Sequence, residues 1–235
     1  MFSGSLSCAA PLRRLGLAAL MAGPLLLTAC GGGGSADAGN PLSQTYNLDS
    51  AITQALAKST QLGPLTTSYQ NLVFTLTMNF APATDAVFEG ATRKRNQQSV
   101  VMTGGGDTVS SSSTQFYSTG PYTAFGSQDS DGAYTVSVRT GDLPTAATVG
   151  ASGLLSTDTV YADATKALVT ATSVTTWSLE ADTGNTVLAC LLSVVRDVSP
   201  PDTSSTKVCF RINAAGDVSG GRISITGSGV TLDFR

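Results

Sequence analysis

The chain contains no histidine, and this absence limits the chemistry open to its other residues. Ser-His-Asp and Cys-His nucleophile systems are excluded, as is every histidine-ligated zinc or iron site. Carboxylates, Lys, Tyr and Ser-Lys pairs remain. Ser204-Ser205-Thr206-Lys207 has the Ser-x-x-Lys spacing, which on a helix would set Lys one turn from Ser to take its proton. Here the four residues lie where a loop enters a predicted strand, which points Ser204 and Lys207 apart. No Lys-Thr-Gly triplet follows. Gln128-Asp129-Ser130-Asp131-Gly132 has the start of a calcium loop. The bidentate Glu that such a loop needs six residues after its Gly is Val138, and a hairpin turn accounts for Asp131-Gly132. Glu89 and Glu180 are the only glutamates and fall on different predicted strands, so spacing argues no glycosidase-type pair. Arg93-Lys94-Arg95 is the only basic cluster. It could meet an anionic lipid or polysaccharide headgroup, but a solvated strand end is the favoured account. No catalytic residue, cofactor site or metal site is assigned.

The cysteines say more. There are four: Cys8, Cys30, Cys190 and Cys209. Arg13 and Arg14 form a positive start, and Leu15 to Leu27 is an uncharged apolar run interrupted by Pro24. That run suits the core of a secretory signal, about 7–15 residues, and is too short for a span of about 20. It leads into Leu27-Thr28-Ala29-Cys30: an aliphatic residue, two small residues, then cysteine. This segment resembles the lipobox of bacterial lipoproteins. The resemblance covers about the first thirty residues. It implies cleavage before Cys30, a diacylglyceryl thioether on the Cys30 sulfur and usually an acylated new amino terminus. By the same resemblance Gly31, where an Asp would favour retention at the inner membrane, favours the outer membrane, and the protein is expected there, lipid-anchored and facing the periplasm.

Gly31 to Asn40, GGGGSADAGN, is almost free of apolar bulk. Ten such residues reach roughly 17 Å end to end, enough for a tether between a lipid and a folded body. The chain therefore divides into a signal peptide (1–29), a lipidated Cys30 with its glycine-rich tether (30–40) and one β-rich domain (41–235). Loss of residues 1–29 removes Arg13 and Arg14, leaving 11 basic against 16 acidic residues, a formal charge of −5. Such a body carries no electrostatic footprint for nucleic acid.

Within the body, Leu48, Ile52 and Leu56 recur every four residues and predict one short helix. Asn47, Asp49 or Ser50 could cap it, Lys58 suits its last turn, and Gly63-Pro64 would end it. The period then changes to two. In Leu72–Phe80, Leu72, Phe74, Leu76, Met78 and Phe80 share one face. Further strands are predicted over Ala86–Arg95, Gln98–Thr103, Thr108–Tyr117, Ala133–Arg139, Thr148–Leu155, Thr157–Ala162, Ala167–Glu180, Thr186–Asp197, Thr206–Ile212, Gly221–Thr226 and Val230–Phe234. Gly, Asp and Asn turns separate most of them. The fold class is all-β: an antiparallel meander forming a small β-barrel or β-sandwich, with one short N-terminal helix.

One register can be derived. If Cys190 stands opposite Cys209, then Leu191 faces Val208, Ala189 faces Phe210 and Val187 faces Ile212, all apolar. Leu188 with Arg211 and Leu192 with Lys207 take the other face. A one-residue slip would set apolar against charged side chains. An exported chain with two spare thiols pairs them, so a Cys190–Cys209 disulfide is expected on the less buried face. Trp177, the only tryptophan, is expected in the core.

The resulting expectation is a cell-envelope lipoprotein, held at the membrane by its lipid, with a non-catalytic structural or interaction domain and an envelope protein as a possible partner. The alternatives are a carrier of an apolar ligand in a barrel cavity and a carboxylate-dependent hydrolase. A transmembrane β-barrel is disfavoured because aromatics are only 6% of the chain, too few for two girdles.

Overall fold

A computed structural model describes residues 41–235. Cys30, the signal segment and the tether lie outside them. Helix α1 (Leu48–Ala57) is followed by twelve strands: β1 (Thr60–Tyr69), β2 (Leu72–Phe88), β3 (Ala91–Gly104), β4 (Asp107–Ser118), β5 (Thr123–Asp129), β6 (Tyr134–Arg139), β7 (Ser152–Tyr161), β8 (Val169–Ala181), β9 (Val187–Asp197), β10 (Thr203–Ile212), β11 (Val218–Gly227) and β12 (Val230–Phe234). They form one antiparallel sheet in strict sequence order, so every strand but the first and last pairs with its chain neighbours. The sheet curls until β1 meets β12. There Thr66 N donates to Arg235 O at 3.0 Å and Arg235 N to Thr66 O at 3.2 Å. The result is a nearly closed barrel. Closing a sheet removes its unpaired edges.

The inward residues build one large core. Leu62, Leu76, Leu179, Val187, Ile212 and Phe234 are fully buried in it, and Trp177 joins them. Helix α1 closes the end of the barrel where β2 leads into β3. Leu48, Ala51, Ile52, Ala55 and Leu56 belong to the same core as the strands. Its ties run to several elements. The Leu48 amide donates to Pro144 O at 3.0 Å, Asp49 Oδ1 accepts from the Tyr122 amide at 2.6 Å, and buried Asn96 in β3 donates to Leu56 O at 2.6 Å. Tyr46 and Ala147 exchange both backbone bonds. Of the cap candidates, Asn47 caps α1, accepting from the Ser50 amide at 2.8 Å. Polar pairs also share the inward face: Gln115 donates to Gln98 at 2.6 Å, and Ser173 to Asp158.

The register derived for β9 and β10 is the one observed, with Cys190 opposite Cys209, Ala189 opposite Phe210 and Val187 opposite Ile212. Four expectations are corrected. Helix α1 stops at Ala57, before Gly63-Pro64, and that pair sits inside β1 at a bulge between Leu62 and Leu65. A Cβ on Gly63, at φ +107°, would lie 2.5 Å from Leu76 O, so the glycine permits the bulge rather than ending an element. Ala86–Arg95 is not one strand. It holds the β2–β3 turn, where Glu89 and Gly90 both take positive φ, 48° and 76°. Thr148–Ala162 contributes a single strand, β7. Finally, β1 and β5 are strands that the sequence pattern did not predict. The centre of β5 is Gly126, onto which Phe88 packs so closely that a Cβ would come within 2.7 Å.

Candidate functional site

Three places on the outer surface of the barrel gather unusual chemistry. The first is the disulfide face of β8–β11. Cys190 and Cys209 are bonded to each other, 19 residues apart in the chain. They are not on a less buried face: their exposures are 1% and 4%, beside Leu188 at 2%. Ion pairs roof them. Lys207 Nζ meets Glu180 at 2.6 Å, while Arg211 Nε and Arg222 Nη2 take the two oxygens of Asp182 at 2.5 and 2.6 Å. The Asp182 side chain is fully buried between its arginines. Burial alone would raise its carboxyl. Hydrogen bonds from Arg211, the Thr183 amide and Thr186, with the Arg211 charge, outweigh burial and hold it below the ordinary value.

The second place adjoins the first, at the seam. Strand β12 pairs with β11 only from Ile223 to Gly227, so above Phe234 no strand separates β11 from β1. A cavity of about 320 Å³ opens there, lined by Gly63, Pro64 and Leu65 from β1, Gly220, Gly221 and Arg222 from β11, Arg211 from β10 and Arg235. Three arginines thus line one cavity. A Cβ on Gly220 would lie in ordinary contact with Arg211 Nη1, at 3.6 Å, whereas one on Gly221 would meet Cys209 O at 2.1 Å, so the close approach of β10 requires the glycine there.

The third is a strap. The β2–β3 hairpin outruns its neighbours, shifts register between Ala83 and Ala86, and folds back over the outside of β4–β6. Phe88 stacks on Phe116 at 4.3 Å and Tyr134 at 5.2 Å, and Arg93 sits 3.5 Å over the Phe125 ring. At the tip Glu89 accepts from Tyr134 Oη at 2.7 Å and from Lys166 Nζ at 2.8 Å. The bond from Lys166, then that from Tyr134, lowers the Glu89 carboxyl. Burial, then the Glu89 bond, raises Tyr134 to about 12.

The arrangements weighed in the sequence resolve as follows. Lys207 is bonded to Glu180 on the outer face of β10, while Ser204, three residues along the same strand, points to the other face. Asp131 stabilises its own hairpin turn, its Oδ1 accepting from the Ala133 amide at 3.2 Å. Glu89 and Glu180 are tied to different lysines. Arg93, from the basic cluster, belongs to the strap. Glu180 also lies within 4.8 Å of both cysteine sulfurs. Because the sulfurs are bonded to each other, the cluster offers a cation a single carboxylate. Reasoning from the sequence did not find the arginine-lined seam. Arg211 and Arg222 stand on neighbouring strands and Arg235 just beyond β12, with no shared motif; the β10–β11–β12 register sets the three side by side, and barrel closure adds the β1 wall of Gly63, Pro64 and Leu65.

Comparison with protein-family models, with curated proteins and with solved structures finds no match for this chain.

Proposed function

We propose that this protein is a lipid-anchored domain of the bacterial cell envelope, acting by binding or scaffolding rather than by catalysis. The observation that carries the reading is Leu27-Thr28-Ala29-Cys30 behind a charged start and an apolar run, with the glycine-rich Gly31–Asn40 after it. Acyl chains on residue 30 supply the anchor, since two or more hold firmly where one binds only marginally. Gly31 after the lipid cysteine favours the outer membrane and a periplasmic body. Two features of the domain support export and a non-catalytic role. The Cys190–Cys209 disulfide suits an oxidising compartment. The glutamates and several of the aspartates are committed to ion pairs and turns. An apolar carrier gains little support, because α1 and inward side chains fill one end of the barrel and the seam cavity is ringed by arginine.

The test is direct. The full chain is expressed in a Gram-negative host fed labelled palmitate, and the mature N-terminal peptide is weighed by mass spectrometry. A diacylglyceryl-modified Cys30 in the outer-membrane fraction is expected, with label and membrane association lost in Cys30→Ser. An unmodified amino terminus beginning elsewhere would overturn the reading.

A further inference from the structure

The seam cavity has the composition of an anion site. Of its three arginines, two share one carboxylate: Asp182 takes Arg211 on Oδ2 and Arg222 on Oδ1. Arg235 has no ion-pair partner among the described residues; its backbone is held by Thr66. Three positive side chains against one acidic side chain leave the cavity border positively charged. Each guanidinium offers five N–H donors in a fixed fork, and Asp182 uses only one from each of its two arginines. The remaining donors belong to residues that line the cavity, with Arg211 Nη1 near Gly220. Arg211 and Arg222 are each only about one-third exposed, so they are positioned by packing rather than free in solvent.

The geometry points to a phosphate monoester, or inorganic phosphate, as the ligand of this cavity. A carboxylate is planar with two oxygens and is satisfied by one arginine fork, as bidentate pairs show. A phosphate dianion presents three oxygens in different directions and carries more negative charge than a carboxylate. It therefore suits donors converging from β10, β11 and the end of β12. The cavity volume of about 320 Å³ reaches the range that holds small organic ligands, about 300–1,000 Å³, so there is space for a substituent beyond the phosphate. Asp182 acts as a positioning residue, holding two guanidinium groups at a fixed separation so that binding need not order them. The site is built from residues 63–235 and does not depend on whether residue 30 is acylated.

The experiment uses the full chain purified in detergent, at low ionic strength and pH 7.5, with chloride as the control anion. Inorganic phosphate and the water-soluble dihexanoyl phosphatidic acid are titrated calorimetrically into the wild-type protein and into Arg235→Gln. Saturable binding of at least one probe is expected, weakened at least fivefold by Arg235→Gln. The thermal midpoint of the unliganded variant should stay within a few degrees of wild type. The probe that binds more tightly identifies the source, free phosphate or a lipid headgroup. Binding should also weaken as pH falls below about 6, where the second phosphate proton returns. Absence of saturable binding by both probes, or binding that Arg235→Gln leaves unchanged, overturns the assignment. Arg222→Lys gives a second check, because it keeps the charge and removes the fork. It should also weaken binding, and unchanged affinity in this variant would count equally against the site.

Discussion

Asp129 and Asp182 are chemically the same residue, and the barrel treats them oppositely. Asp182 is enclosed by cations and donors that favour its charge. Asp129 shares the inward face of β5 with polar neighbours, and burial, then the nearby Asp131 charge, raises its carboxyl to about 6. The stability consequences differ in sign. A lowered folded-state value stabilises the fold above the ordinary carboxylate range, and that contribution is lost as pH falls through it. A raised one costs stability at neutral pH, and the cost disappears as pH falls from above 6 toward the ordinary value. For Asp129 the interval from 3.8 to about 6 corresponds to on the order of 3 kcal/mol, with partial solvent access reducing it to about 2. Asp129→Asn should therefore stabilise the protein by about 1–3 kcal/mol at pH 8 and hardly at all at pH 4. Urea unfolding at the two pH values measures this, and an equal gap at both would refute it.

The strap is the element whose removal should be felt locally. Its contacts are two aromatic stacks, one cation–π contact and the Glu89 clasp, while the rest of β2 and β3 is paired along the barrel wall. Glu89→Gln removes the ion pair with Lys166 and keeps a hydrogen-bonding group for Tyr134. Amide exchange should rise at least threefold between residues 86 and 93, with the exchange of β9 and β10 unchanged. A uniform rise across the barrel would show that the strap is not a separate unit. Some elements were legible because their period was clean. Leu48, Ile52 and Leu56 gave α1, and Val187, Ala189 and Leu191 against Val208, Phe210 and Ile212 gave a register correct to the residue. Where the period was broken, sequence misled. Gly63-Pro64 carries the signature of a stop and is a bulge in a continuing strand. Glu89-Gly90 is a two-residue turn of the kind that twisted hairpins favour, hidden inside a run that otherwise alternates. Gly126 weakens β5 as a strand signal, yet its missing side chain is what lets Phe88 seat.

At the scale of the whole molecule, closure is the decisive step. A meander of sequential hairpins forms most of its contacts between neighbours, but the β1–β12 seam joins the two ends of the sheet. Phe234, fully buried against the core from the last strand, pins that seam. Phe234→Ala should cost about 3–5 kcal/mol, and native-state exchange should show the Thr66 and Arg235 amides opening first. A cost below about 1 kcal/mol would mean the seam contributes little. The arginine-lined cavity was illegible for the same reason: two of its walls meet only across the seam, and no local pattern encodes a meeting of the first strand with the last. A barrel whose strands follow one another around a ring also has no privileged starting point. A linker bridging β12 to the residues before α1, with new ends cut at the Asp131-Gly132 turn, would keep the helix plug and trace the same wall in the same order, so the strands are in effect a loop of hairpins that can be opened at another turn.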